Sequence, residues 1–211
     1  MLRIILFGAP GSGKGTQAKR IEREYRYKHV STGDLIRSEI SQDSMLGRKM
    51  RILVDDGHFV PDDIMIELVT NRVNCEDITD GYIMDGFPRT CNQAKALTRI
   101  KVSREVAIYL NVENEAVIVD RILSRLICSN CGAIFSTSTR PPQKEGVCDC
   151  CQTILSKRAD DNETAIKERI RIYHRETLPV LEYYRNQGVL NQVDASMEVD
   201  SVFNRISELI N

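Results

Sequence analysis

The residues best suited to chemistry lie near the N-terminus: Gly8-Ala9-Pro10-Gly11-Ser12-Gly13-Lys14-Gly15-Thr16. Glycines let successive backbone N–H groups turn inward around phosphate oxygens. Lys14 supplies a point charge for the outer phosphates. A helix opening at the lysine adds the positive end of its dipole. The general phosphate-loop pattern has Ser or Thr directly after the lysine, whereas here Gly15 stands there and the hydroxyl follows at Thr16. That offset puts direct Mg²⁺ ligation by the hydroxyl in doubt. The bland alternative is a glycine-rich turn without a ligand. An apolar run before the turn, the lysine inside it and a helical pattern after it favour the phosphate reading.

A second constellation is Cys128-x2-Cys131-x16-Cys148-x2-Cys151, the spacing of a four-cysteine zinc site. Thiolates are soft ligands that suit tetrahedral Zn²⁺, and four of them fill its shell, which makes the metal structural rather than catalytic. A redox pair needs only one such motif. A nucleic-acid ribbon asks for basic and aromatic residues between the knuckles, where this chain has only Phe135, Arg140 and Lys144. Cys150 is an extra thiol that either competes as fourth ligand or stays free. Cys75 and Cys91 read as ordinary small apolar residues. His29, His58 and His174 are scattered, with no pair at ligand spacing, and His174 reads as packing or a surface hydrogen bond.

These groups need a frame. Leu2–Phe7 is a short apolar run ending at Gly8, followed by a helical stretch over Lys14–Tyr25. Similar runs recur at 82–84, 106–110 and 189–193, with a weaker one at Lys28–Ser31. Strands alternating with helices imply a parallel sheet with right-handed crossovers, and fully apolar strands fit a sheet buried on both faces. Ser31 or Thr32 caps a helix over 34–40, and Pro61-Asp62-Asp63 opens another over 64–73. Residues between them read as a helical insertion. A helix is expected over 113–127, a Cys/Gly/Ser/Thr/Pro-rich break over 128–151, and helix again over 162–184.

Composition sets outer bounds. The 211 residues favour one core with inserted pieces over two independent domains. Basic and acidic residues nearly cancel, 29 against 30, which argues against a dedicated nucleic-acid binder. Seven unevenly spaced cysteines are a poor disulfide framework. The N-terminal apolar run is too short for a signal peptide, and no stretch suits a membrane span, so the chain is expected to be cytoplasmic.

Several motifs together are similar to the adenylate kinase family of nucleoside monophosphate kinases. They are the loop GAPGSGKGT, Ser31-Thr32-Gly33-Asp34 with Arg37, and Asp85-Gly86-Phe87-Pro88-Arg89-Thr90 with Gln93. Asp120-Arg121 with Arg125, Arg158 with Asp160-Asp161, and Arg169 follow in order. The resemblance spans nearly the whole chain. It implies an α/β fold, a P-loop NTPase-type parallel sheet of about five strands flanked by helices, with two inserted mobile subdomains. The core would comprise 1–30, 61–125 and 161–211. A monophosphate-binding insertion would occupy 31–60, and a zinc-binding lid would occupy 126–160.

The implied activity is reversible phosphoryl transfer from MgATP to AMP, giving two ADP. An AMP phosphate is already ionised near neutrality, so no general base is needed, only positioning and charge neutralisation. Arginine suits that task because it stays charged and grips phosphate with paired bonds. By resemblance, Lys14, Arg89, Arg125, Arg158 and Arg169 surround the transferring group. Gly11, Ser12, Gly13, Lys14, Gly15, Thr16, Arg121 and Arg125 bind ATP. Thr32, Arg37, Gly86, Arg89, Gln93, Arg158 and Arg169 bind AMP, with Gln93 hydrogen-bonding the base. Arg121 and Arg125, four apart, are expected on one face of a helix. Asp85 sits near Mg²⁺ through water, and Thr32 together with the cysteine-bearing lid favours AMP over pyrimidine acceptors. The family type is monomeric and uses no nucleic acid or membrane.

Overall fold

The computed structural model describes residues 1–158 and 160–211. Its centre is a five-stranded parallel sheet in the order β2-β3-β1-β4-β8. These strands are β1 (Leu2–Phe7), β2 (Lys28–Ser31), β3 (Gly81–Asp85), β4 (Arg104–Asn111) and β8 (Leu190–Asp194). All five fall where strands are expected from the sequence, four on its apolar runs and β2, Lys-His-Val-Ser, on a mostly polar one. β1 is central and every one of its residues is buried. Side chains alternate across a strand, so Ile5 and Phe7 face one core with Met84 and Tyr184, while Ile4 and Leu6 face another with Ile21 and Ile206. Both sheet faces are therefore covered, as an all-parallel sheet requires.

The helices are α1 (Lys14–Tyr25), α2 (Thr32–Ser41), α3 (Met45–Asp55), α4 (Asp62–Val73), α5 (Cys91–Leu97), α6 (Glu115–Leu123), α7 (Glu163–Ile172), α8 (Leu178–Asn186) and α9 (Val199–Ile210). Ser31 caps α2 by accepting a hydrogen bond from Asp34 N, which decides between the two capping candidates. The expected helix over 162–184 is interrupted by a π-helical turn at Tyr173–Thr177, before Pro179 in the first turn of α8.

One expectation fails. The helix begun near residue 113 does not reach 127; α6 stops at Leu123 with Ser124 as its C-cap. Arg125 opens β5 (Arg125–Cys128) instead, so Arg121 and Arg125 do not share a helix face. β5 lies between β6 (Ile134–Ser136) and β7 (Leu155–Ser156) in a small antiparallel sheet. Pairing with residues seven or more positions away outweighs the local helical pattern. A compact cluster of Cys128, Phe135, Cys148 and Leu155 lies under this sheet. No helix is long and apolar enough to cross a membrane among the described residues.

Candidate active site

The phosphate loop leaves the C-terminal end of β1 and ends at Gly13, whose φ of +96° precedes α1. A left-handed backbone at that position favours glycine. Lys14 Nζ donates to Gly8 O at 2.8 Å and Ala9 O at 2.9 Å, folding back along the loop. Burial pushes its pKa down to about 8, helped by Arg89, Arg125 and Arg169 and opposed by Asp85. Gly15 lies between Asp85 and Ile134: a Cβ there would be in van der Waals contact, 3.4 Å from Asp85 Oδ2 and 3.4 Å from Ile134 Cδ1.

Around this loop is a cleft of about 410 Å³, within the range of small-molecule sites. Lys14, Arg37, Arg89, Arg121, Arg125, Arg158 and Arg169 all line it. They come from five separate elements and from the segments before Thr90 and Asp160, so only the fold brings them together. Gly11, Ser12, Gly13, Gly15 and Thr16 line the same cleft. A smaller adjoining hollow of about 70 Å³ is lined by Thr32, Arg37, Gly86, Arg89, Gln93 and Arg169.

Carboxylates behind the cleft hold several arginines. Arg125 Nε donates to Asp161 Oδ2 at 2.8 Å, and the Asp161 side chain is only 2% exposed. Arg169 pairs with Asp160 and reaches Asp161 at 3.6 Å. Arg37 Nη2 bonds Asp34 Oδ1 at 2.6 Å. Arg89 Nε donates to Gly86 O at 2.7 Å, and its guanidinium lies 5.0 Å from the Phe59 ring centre. Burial and the charge of Arg169 push Arg89 down to about 10; burial and the charges of Arg125 and Arg37 do the same to Arg158. Both remain cationic at neutral pH. Arg121 donates to Ala195 O at 3.0 Å, tying α6 to the 195–199 segment.

Asp85 closes β3 and faces the loop. Burial pushes its carboxyl up, but a hydrogen bond from His29 and the charges of His29, Lys14 and Arg89 outweigh this and hold it below the ordinary range. Anchored beside Lys14 and Gly15, it suits a role on water around a bound Mg²⁺. Sequence reading left His29 unassigned. Thr32 is buried and its hydroxyl donates to Gly86 O at 3.1 Å. Gly86 has φ +83°, and a Cβ there would lie 2.8 Å from Arg89 Nη2. Gln93 is also buried. Its Nε2 donates to Asp62 Oδ1 at 2.7 Å and its Oε1 accepts from Arg89 N at 2.8 Å, so both ends of the amide anchor protein groups.

The sulfurs of Cys128, Cys131, Cys148 and Cys151 lie within 4.8 Å of one another. Tetrahedral zinc with Zn–S of about 2.3 Å needs sulfurs about 3.8 Å apart, and the quartet fits. Cys150 is exposed and outside that group. Cys75 and Cys91 are exposed too, not the core fillers their type suggests. His174 makes an exposed bond to Glu115 Oε1 at 2.7 Å.

Comparison with known proteins agrees with this geometry. The model of a family described as adenylate kinase matches residues 6–189. A curated adenylate kinase of Clostridium acetobutylicum is 42% identical over 99% of this chain and 99% of its own length. One from Caldicellulosiruptor bescii is 44% identical over 90% of this chain and 89% of its own. Another, from Clostridium beijerinckii, is 40% identical over 99% of this chain and 98% of its own.

Proposed function

This chain belongs to the adenylate kinase family, and from that premise we propose that its cleft moves a phosphoryl group reversibly from MgATP to AMP, yielding two ADP. The observation that carries the reading is the convergence of Lys14 and seven arginines, Arg140 among them, on one cleft. Two polyanions must approach within bonding distance, and fixed cations lower that repulsion without reorganising.

The loop 8–16 and Arg121 hold the donor nucleotide. Arg125, Arg158 and Arg169 surround the transferring group. Arg37 and Arg89 hold the acceptor phosphate in the hollow beside Thr32 and Gly86. Gln93 is oriented by Asp62 and Arg89, and the second N–H and second lone pair of its amide serve to hydrogen-bond the acceptor base. Mg²⁺ bound with ATP would neutralise donor oxygens, with Asp85 holding its water. The acceptor phosphate is already ionised, so no side chain is needed as a base.

Residues 31–60 and 126–160 act as two mobile insertions on a core of 1–30, 61–125 and 161–211. The second is a lid whose small apolar cluster is supplemented by zinc on its four cysteines. Closure excludes water and prevents hydrolysis of ATP. A reducing cytoplasm keeps these thiols available for metal, and a monomer with no nucleic-acid or membrane partner is sufficient for the reaction. A coupled assay comparing AMP, CMP, UMP and GMP as acceptors tests the assignment. AMP is expected to lead by at least about tenfold, and preference for a pyrimidine would overturn it.

A further inference from the structure

The helix that begins at Lys14 carries a second lysine whose ammonium reaches the cysteine knuckle beside the small antiparallel sheet. Lys19 Nζ donates to Gly132 O and, at 3.3 Å, to Cys131 O. Among the described residues this ammonium has no carboxylate partner.

The cysteine knuckle presents those acceptors. Its backbone N–H groups turn inward, with Cys131 N directed at Cys128 Sγ at 3.5 Å and Gly132 N at Cys128 O at 2.9 Å. The carbonyls of Cys131 and Gly132 take no part in these turn bonds. A divalent ion held by four thiolates leaves the knuckle net negative, which adds attraction for an ammonium. Gly132 has φ +66°, and a Cβ there would collide with Lys19 Nζ.

The lid meets α1 at two levels. Ile134 lies over Gly15 at the first turn. Lys19 bonds the knuckle about 6 Å farther along the helix axis, four residues after Gly15. One contact is apolar and the other charged, and both must break if the lid swings away.

We propose that Lys19 is a positioning residue for phosphoryl transfer: its ammonium latches the cysteine knuckle of the lid onto the phosphate-loop helix and so holds Arg125 over the donor phosphates. This rests on the reading of the cleft as a donor site. Losing the latch shifts the lid toward open without altering the groups that touch nucleotide. Donor capture therefore weakens while acceptor capture and chemistry in the closed complex change little.

The test uses the full-length, zinc-loaded protein with Lys19→Met and Lys19→Arg. Lys19→Met is expected to keep one zinc per chain and raise both KM and the calorimetric Kd for ATP about five- to tenfold. KM for AMP should move less than about twofold, and kcat should not fall. Amides of segment 125–136 should exchange hydrogen faster while those of β1 do not. Lys19→Arg should restore most of the ATP affinity. Unchanged ATP affinity and exchange in Lys19→Met would overturn the proposal, as would loss of zinc or an equal rise in both KM values. An inactive wild-type protein would instead overturn the functional reading, and ATP binding with lid exchange would still report on the latch.

Discussion

His29 Nε2 lies 3.2 Å from Asp85 Oδ2, and the His29 side chain is only 7% exposed. The register of β2 on β3 pairs Ser31 with Asp85 and His29 with Ile83, and the ring reaches forward to the carboxylate from there. Asp85 lines the cleft and His29 does not. The geometry thus lets the histidine touch the carboxylate and not the nucleotide cleft.

Replacing His29 with Ala should weaken Mg²⁺-dependent activity about tenfold, as loss of an outer-shell partner does. The Mg²⁺ concentration for half-maximal rate should rise, and His29→Gln should recover part of the loss by donating to the same oxygen. Titrating Mg²⁺ at saturating nucleotide checks this, and an unchanged midpoint in His29→Ala would dismiss the pairing as purely structural.

Lys14 gives a pH prediction with two opposite signs. Its pKa is pushed down to about 8 by burial and neighbouring arginines, against 10.5 unperturbed. Donor capture needs the charged form, so kcat/KM for ATP should decline as pH rises through about 8. Stability moves the other way. Between about pH 8 and the unfolded value, the unfolded chain binds more protons at this group, so its contribution to folding improves with pH. Below about 8 the group is charged in both states and its destabilising contribution is full. Steady-state kinetics and denaturant melts from pH 7 to 10, with Lys14→Met as control, separate the two trends.

Arg89→Met should lower kcat by about 10²–10³, the usual cost of losing a preorganised charge at the transferring group. It stands at the junction of both hollows and bonds Gly86 O. Single-turnover measurement at saturating AMP isolates the chemical step. A loss confined to KM for AMP would place Arg89 in acceptor binding alone.

Cys151→Ser should lose metal and lower Tm by about 5 °C or more, because the lid's own core is small. Cys150→Ser should retain the metal, since its thiol lies outside the quartet. Elemental analysis and calorimetric melting of both variants decide the matter; metal loss on replacing Cys150 would reverse the ligand assignment.

Local features were legible and distant pairings were not. The loop before α1 and the five strands are written in contiguous residues, so their types and order along the chain follow from the sequence. Arg125 shows the limit. A helical pattern runs past Leu123, yet β5 forms because Ile134–Ser136 and Leu155–Ser156 pair with it. His29 carried no motif, and its role exists only through strand register. Lys19 was equally silent, since its partners stand 112 and 113 residues away. Cys75 and Cys91 show that residue type alone does not fix burial. The arginine roles came from resemblance, because a single arginine in sequence is indistinguishable from a solvated one.

The most direct test of the central claim is the stoichiometry of ADP formed per ATP consumed, with Mg²⁺ and AMP present. Two ADP per ATP, with AMP falling in step and no free phosphate released, is the result expected of cations joining two bound nucleotides. One ADP and one free phosphate per ATP, at a rate indifferent to AMP, would contradict it.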